Sequence, residues 1–249
     1  AGSKSVGAEH AAGDVLVFLE PHCLFQTGWL GSLLDVLHKN PHAVAQPALD
    51  VISDENFEDY AQGNLHIGGF DYTLKFQYRE LIAERNETWR EPENFATPAM
   101  SGGIFAVRRD YFMELGNFDK GLRQWGGDDV EMSLRVWQCG GRIEVVPCSR
   151  IGHYFRQFRP YSVELAQVFR NRKRIALVWL DDHYGNFTAA IRKDLSGIEG
   201  LQLDGAEGLD AGDVSGRVAL RQRLRCKSME WFIDHVYPEL AQQPRVHSE

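Results

Sequence analysis

Residues 15–53 read VLVFLEPHCLFQTGWLGSLLDVLHKNPHAVAQPALDVIS, and the reading of this stretch decides the fold class. VLVFLE (15–20) is a continuous apolar run, the pattern of a strand covered on both faces. GWLGSLLDVLHKNP follows, with Leu30, Leu33, Leu34 and Leu37 at helical spacing, and stops before Pro41. AVAQPALDVIS then reads as a second strand. A strand–helix–strand unit predicts an α/β domain built on a parallel sheet. The first strand also poses a chemical question, because it ends in Glu20 and an imidazole, His22, stands two positions later. Spacing alone leaves two answers open: a polar turn after a finished strand, or part of a metal site.

The chain has 249 residues, 43% hydrophobic and 25% charged, enough to bury a sizeable core in one large domain or two small ones. A formal net charge of −8 disfavours a nucleic-acid partner. No run approaches a membrane span. The opening AGSKSVGAEHAAGD has no charged-then-greasy leader and reads as the interior of a longer chain. Cys23, Cys139, Cys148 and Cys226 form no CxxC pair, which speaks against a zinc knuckle. Triplets Asn86–Thr88 and Asn186–Thr188 match the N-glycosylation consensus and, with the cysteines, lean toward the secretory pathway.

Further along, GGFDYTLKFQY (68–78) alternates Phe70, Tyr72, Leu74, Phe76 and Tyr78, predicting one half-buried strand of antiparallel type. Residues 80–98 are polar and read as a surface loop. SGGIFAVRRDYFMELGNFD predicts a glycine turn, a short strand and a helix at about 109–115. WGGDDVEMSLRVWQCGG predicts a glycine turn, two Asp in helix-capping position and a helix with Val130, Leu134 and Trp137 on one face. RIEVVPCSRIGHYF adds a strand or two, and Val163 to Asp182 is helical. Residues 195–213 are rich in Gly and Asp and read as a loop, and VALRQRLRCKSMEWFIDHVYPEL closes with a helix.

Four clusters can carry chemistry. Glu20, His22 and His153 form a possible oxygen-and-imidazole ligand set with open positions, suited to a Mn²⁺-like ion that also holds phosphate oxygens. Against this stands the plain reading of structural histidines at strand ends. Ser101, Gly102 and Gly103 permit a ligand to approach the backbone, or make a tight turn. Trp125 with Asp128 and Asp129 offers an aromatic face and hydroxyl acceptors for a sugar, or a packed Trp before an ordinary helix cap. Arg156, Arg159, Arg170, Arg172, Lys173 and Arg174 can cradle phosphates, although a solvated helix face accounts for the last four.

The order of these motifs resembles the UDP-GalNAc:polypeptide N-acetylgalactosaminyltransferases, which start mucin-type O-glycosylation. The resemblance covers most of residues 7–240 and rests on VLVFLEPHC, ALDVIS, GGFDYTLKF, TPAMSGGIFAVRRDYFMELGNFD, WGGDDVEMSLRVWQCGGRIEVVPCSRIGHYFR, RPYS and GDVSGRVALRQRLRCKSMEWFIDHVYPEL, with Trp125 to Arg156 the most specific. It implies a GT-A type α/β fold, a mixed sheet flanked by helices. It also implies transfer of GalNAc from UDP-GalNAc to Ser or Thr of polypeptides, with retention and with Mn²⁺, in the Golgi lumen. On this resemblance Glu20, His22 and His153 are the metal ligands, and Ser101, Gly102 and Gly103 lie along the donor sugar. Asp128 and Asp129 hold its hydroxyls, while Trp125, Arg156 and Tyr161 surround the diphosphate and its closing loop. Cys139 pairs with Cys226, Cys148 has its family partner upstream, and Cys23 is a partly buried thiol.

The chain departs from the family pattern in four places. Glu20 stands where the family has Asp. The extra methylene moves the carboxylate by about 1.5 Å, a displacement that in a tuned site costs roughly a hundredfold. Asp128 replaces a Glu, the opposite change, and the closing loop after Tyr161 is shortened. The family's first strands, which recognise uridine, and its membrane anchor are expected upstream of Ala1, so the N-terminal half of the nucleotide-binding sheet is missing from residues 1–240. Residues 195–211 read as an insertion, 241–249 as a tail, and the family's lectin domain is not included. Two other readings stay open: a non-catalytic remnant of the fold, or another GT-A hexosyltransferase of galactosyl or chondroitin type. Metal-dependent donor hydrolysis separates the first, and donor competition the second.

Overall fold

The computed structural model describes residues 2–53, 60–81, 93–155, 162–196 and 208–242. Helix α1 (Gly2–His10) leads into one mixed sheet of strands β1 (Val15–Phe18), β2 (Cys23–Phe25), β3 (Ala43–Ile52), β4 (Tyr60–Ala61), β7 (Phe95–Ala96), β8 (Phe105–Arg108) and β9 (Arg142–His153). Strands β5 (His66–Phe70) and β6 (Phe76–Glu80) form a separate hairpin. Helices α2 (Trp29–Lys39), α3 (Arg109–Glu114), α4 (Asp128–Gln138), α5 (Leu165–Trp179), α6 (Tyr184–Ser196), α7 (Ser215–Arg223) and α8 (Met229–His235) complete the order.

The continuous apolar run at 15–18 is covered on both faces, as its pattern predicts. Leu16 and Phe18 enter the main core, while Val15 and Val17 pack on a second cluster with Leu33, Val36 and Leu37 of α2. The sheet is mixed, as the resemblance implies, but the strand–helix–strand unit does not place its two strands side by side. β1 and β3 are not neighbours, because β8 inserts between them and runs antiparallel to both, with Phe18 opposite Phe105 and Val44 opposite Val107. Phe105, Ala106 and Val107 are all buried, so β8 suits a central position. β3 pairs in parallel only with β9, the single strand formed by RIEVVPCSRIGH, and the order is β1-β8-β3-β9-β2.

The alternating stretch at 68–78 is a hairpin instead of one strand. Asp71 Oδ1 accepts from the N–H and hydroxyl of Thr73 at 2.9 and 2.5 Å, and Leu74 turns with φ 58°. Alternation survives through the turn because Tyr72 and Leu74 are buried at its tip. Two further corrections concern helices. The closing stretch is two helices, α7 and α8, parted by Arg225 at φ 52°. The basic face of α5 is solvated only in part: Arg170 is exposed, whereas the rest turns inward. Arg174 is buried and pairs with Asp119, and Lys173 donates to the Leu209 carbonyl at 2.8 Å. α4 is buried over every residue from Val130 to Gln138, so the expected one-sided face is a fully enclosed helix. Its buried charges are paired internally: Arg135 pairs with Glu131 at 2.7 Å and donates to the Leu115 and Asn117 carbonyls, both at 2.5 Å. Among the described residues no helix is long and apolar enough to cross a membrane.

Candidate functional site: a carboxylate and two imidazoles beside a glycine turn

Strand register explains how distant residues meet. Phe18 stands opposite Phe105, so two residues further on Glu20 lies beside Gly103. The approach is close: a Cβ on Gly103 would fall 2.5 Å from Glu20 Oε1. After Pro21 the chain enters β2, whose Cys23 stands opposite His153 at the end of β9, and Tyr154 N–H donates to the His22 carbonyl at 3.2 Å. Glu20 Oε2 is therefore 3.0 Å from His22 Nε2 and 3.6 Å from His153 Nε2. One ligand atom from each residue lies within 4.8 Å of the others.

This donor set fits a hard-to-borderline divalent ion. Ligands about 2.1 Å from an octahedral ion stand about 3 Å apart on adjacent corners, close to the spacings found. The two imidazoles are 15% exposed and the carboxylate 36%, so one side of the cluster stays open to a further ligand. A hydrogen bond from His153, with added charge from His22 and Lys4, holds the Glu20 carboxyl below the usual carboxylate range, as a metal ligand requires.

Gly103→Ala is expected to displace the Glu20 carboxylate, since its Cγ and Cδ would also lie within 2.9–3.0 Å of the new methyl. Affinity for Mn²⁺ should fall by about ten- to a hundredfold while the melting temperature changes little. Calorimetric titration of Mn²⁺ checks this, and an unchanged affinity would remove Glu20 from the ligand set.

The SGG turn is tied to the two aspartates. Ser101 N–H donates to the buried Gln46 Oε1 at 2.7 Å. Met100 N–H donates to Ser133 Oγ at 2.9 Å, and that hydroxyl donates to the Asp129 carbonyl at 2.6 Å. Gly102 packs directly on Asp129, where a Cβ would meet the Asp129 Cβ at 2.9 Å. The two aspartates are not caps, as the sequence suggests: Gly127 is the N-cap at φ 92°, and they occupy the first turn of α4. Burial, with Asp128 alongside, pushes the Asp129 carboxyl up to about 7. Near neutral pH it can thus either donate to or accept from a sugar hydroxyl.

Trp125 sits on a loop that needs left-handed backbone, with Gln124 at φ 53° and Gly126 at φ 99°. Its side chain is 42% exposed and can offer its face to a ligand. The loop is seated by Asn171 of α5, a residue the sequence reading missed. Its Nδ2 donates to the carbonyls of Arg123 and Gly126 at 2.8 and 3.0 Å, and its Oδ1 accepts from Arg123 N–H at 3.1 Å. The only local signal was a polar residue inside an otherwise basic helical run. Arg156, Arg159 and Tyr161 lie outside the described residues, as do Asn86 and most of 80–98 and 195–213.

A cavity of about 460 Å³ opens beside the triad. Gln46 and Tyr78 line it next to Ser101, and Phe155 lines it next to His153, whose ring is 4.4 Å away. Asn64, Leu65 and His66 also line it.

Residues 1–116 match the family described as Glycosyl transferase family 2, and residues 90–159 match the N-terminal domain of galactosyltransferase. Polypeptide N-acetylgalactosaminyltransferase 3 of Drosophila melanogaster is 41% identical over 244 residues, covering 95% of this chain and 35% of that protein. The Inactive polypeptide N-acetylgalactosaminyltransferase-like protein 5 of Macaca fascicularis is 39% identical over 240 residues, covering 96% and 51%. A crystal structure of GalNAc-T7 with UDP, GalNAc and Mn²⁺ superposes with a TM-score of 0.81 at 30% identity, over 97% of this chain and 44% of that one. The chain thus spans about a third to a half of the length of these relatives. With this shared sequence, and with a mixed sheet flanked by helices in the GT-A manner, the chain belongs to the polypeptide N-acetylgalactosaminyltransferase family.

Proposed function

We propose that this chain carries the catalytic face of a transferase that moves GalNAc from UDP-GalNAc to a Ser or Thr hydroxyl of a polypeptide, with retention, in the Golgi lumen. The observation that carries the reading is the convergence of Glu20, His22 and His153 next to the Ser101–Gly103 turn and the Asp128–Asp129 pair. Glu20 Oε2 and the two Nε2 atoms would hold Mn²⁺, which when bound supplies Lewis-acid charge to the departing diphosphate. The glycine turn lets the donor sugar lie against the backbone, and Asp128 and Asp129 orient its hydroxyls. Trp125, with Arg156 and Tyr161 as the resemblance implies, would take part in binding the diphosphate. The cavity lined by Tyr78, His66 and Phe155 takes the acceptor peptide and brings its hydroxyl to the face the leaving group vacates. Retention follows from attack on that same face.

The test is transfer from UDP-GalNAc to a Ser/Thr peptide by the full protein, with and without Mn²⁺, and with UDP-galactose as a competitor. The reading requires glycopeptide formation that depends on Mn²⁺ and on the GalNAc donor. A second reading, a fold retained without turnover, is favoured by Glu20 in the place of the family's Asp and by a relative whose name marks it inactive. It requires no UDP release even at high protein concentration.

A further inference from the structure

Lys4 is a cation outside the triad that the fold brings beside Asp128, and its charge also acts on Glu20 and Asp129. It projects from α1, which is fixed in place: Ser5 Oγ donates to Asn117 Oδ1 at 3.0 Å, Asn117 Nδ2 donates to Glu9 Oε1 at 3.2 Å, and Ala8 is buried in the core. From there Lys4 Nζ donates to the Gly102 carbonyl at 2.6 Å and stands 3.9 Å from Asp128 Oδ2. Gly102 is packed on Asp129, and Gly103 on Glu20. The Lys4 ammonium therefore sits between the metal triad and the aspartate pair, 28% exposed and on the donor side of the glycine turn.

We propose that Lys4 is a positioning residue that favours a metal–diphosphate over the bare metal. This rests on the donor reading given above. The electrostatics have opposite signs for the two ligands. A divalent ion on Glu20, His22 and His153 has the same charge as Lys4, so Lys4 weakens its binding. A diphosphate arriving with the ion is attracted by both. Lys4 has three N–H donors, of which Gly102 takes one, so it can reach a phosphate oxygen without releasing the turn. The result is a site in which metal and diphosphate enter together.

The experiment uses Mn²⁺ alone, then inorganic pyrophosphate at saturating Mn²⁺, titrated calorimetrically into the wild type, Lys4→Met and Lys4→Arg. In Lys4→Met, Mn²⁺ should bind about threefold tighter and pyrophosphate about tenfold weaker; Lys4→Arg should restore both to within about threefold. A merely structural role moves both affinities in the same direction, so a parallel loss in Lys4→Met would overturn the proposal. Unchanged pyrophosphate affinity would overturn it equally. A wild type that binds neither probe at millimolar concentration would instead remove the donor reading, and the role of Lys4 with it. A melting temperature within a few degrees of wild type identifies Lys4→Met as folded, which its surface position favours.

Discussion

His153→Ala is expected to abolish detectable Mn²⁺ binding below millimolar concentration and to lower transfer by at least about a thousandfold, with the fold intact. His153 contributes one of three protein ligand atoms, its Nε2 standing 3.6 Å from Glu20 Oε2. Two ligands two residues apart, Glu20 and His22, cannot close a face of an octahedral ion by themselves. The fold should tolerate the change because His153 is held by backbone: β9 pairs with β2 through Ile151, Gly152 and His153. The nearest cost is the ring contact with Phe155 at 4.4 Å, worth about 1 kcal/mol. Glu20, deprived of the hydrogen bond that chiefly lowers its proton affinity, should also take up a proton at higher pH than in the wild type. Free Mn²⁺ followed by paramagnetic resonance gives the affinity, and peptide transfer gives the rate. Retention of Mn²⁺ affinity within threefold of the wild type would end the metal assignment.

The reasons that Glu20 and His22 were visible in the sequence are local ones. A buried strand ended abruptly in a carboxylate, and both residues lay within one turn. His153 joined them only as a second imidazole after an apolar run, because its place depends on β9 pairing with β2 at the far edge from β1, and no periodicity encodes a pairing 130 residues apart in the chain. The same gap hid which strands are neighbours in the mixed sheet. β1, α2 and β3 were each legible, but the strand that separates β1 from β3 comes later in the chain. Residues 68–78 misled in another way: Tyr72 and Leu74 keep the two-residue alternation while the backbone reverses around Asp71. Asn171 and Arg174 were unreadable because a buried polar group and a solvated one look alike without the carbonyls they bind. Lys4 was invisible for the same reason, since its meaning lies in the Gly102 carbonyl 98 positions away.

Replacing both Cys139 and Cys226 with serine is expected to remove about 4–5 kcal/mol of stability and to lower the melting temperature by roughly 10–18 °C. The bond joins residues 87 positions apart, and that loop contains β9, α5, α6 and α7. Without it the unfolded chain gains the freedom of the whole loop, whereas the native contacts are mostly unaltered. The two ends stay near one another by other means: Lys227 N–H donates to the Gln138 carbonyl at 2.7 Å, and Arg221 binds the Val178 carbonyl and Asp181. A loss of that size is a large share of the roughly 5–15 kcal/mol typical of a domain, so the variant should be folded at 15 °C and largely unfolded near 50 °C. Its Mn²⁺ affinity at 15 °C should equal that of the wild type, because Glu20, His22 and His153 are arranged by the β1–β8 and β2–β9 registers, not by the cross-link. Differential scanning calorimetry with paired Mn²⁺ titrations reads both quantities. A melting shift below about 3 °C would mean that the docking of α7 on α5 and of α8 on α4, and not the tether, carries the stability of this end of the molecule. Weakened Mn²⁺ binding at 15 °C would mean that strain passes from the C-terminal end of α4 to its first turn, where Asp129 and Gly102 meet.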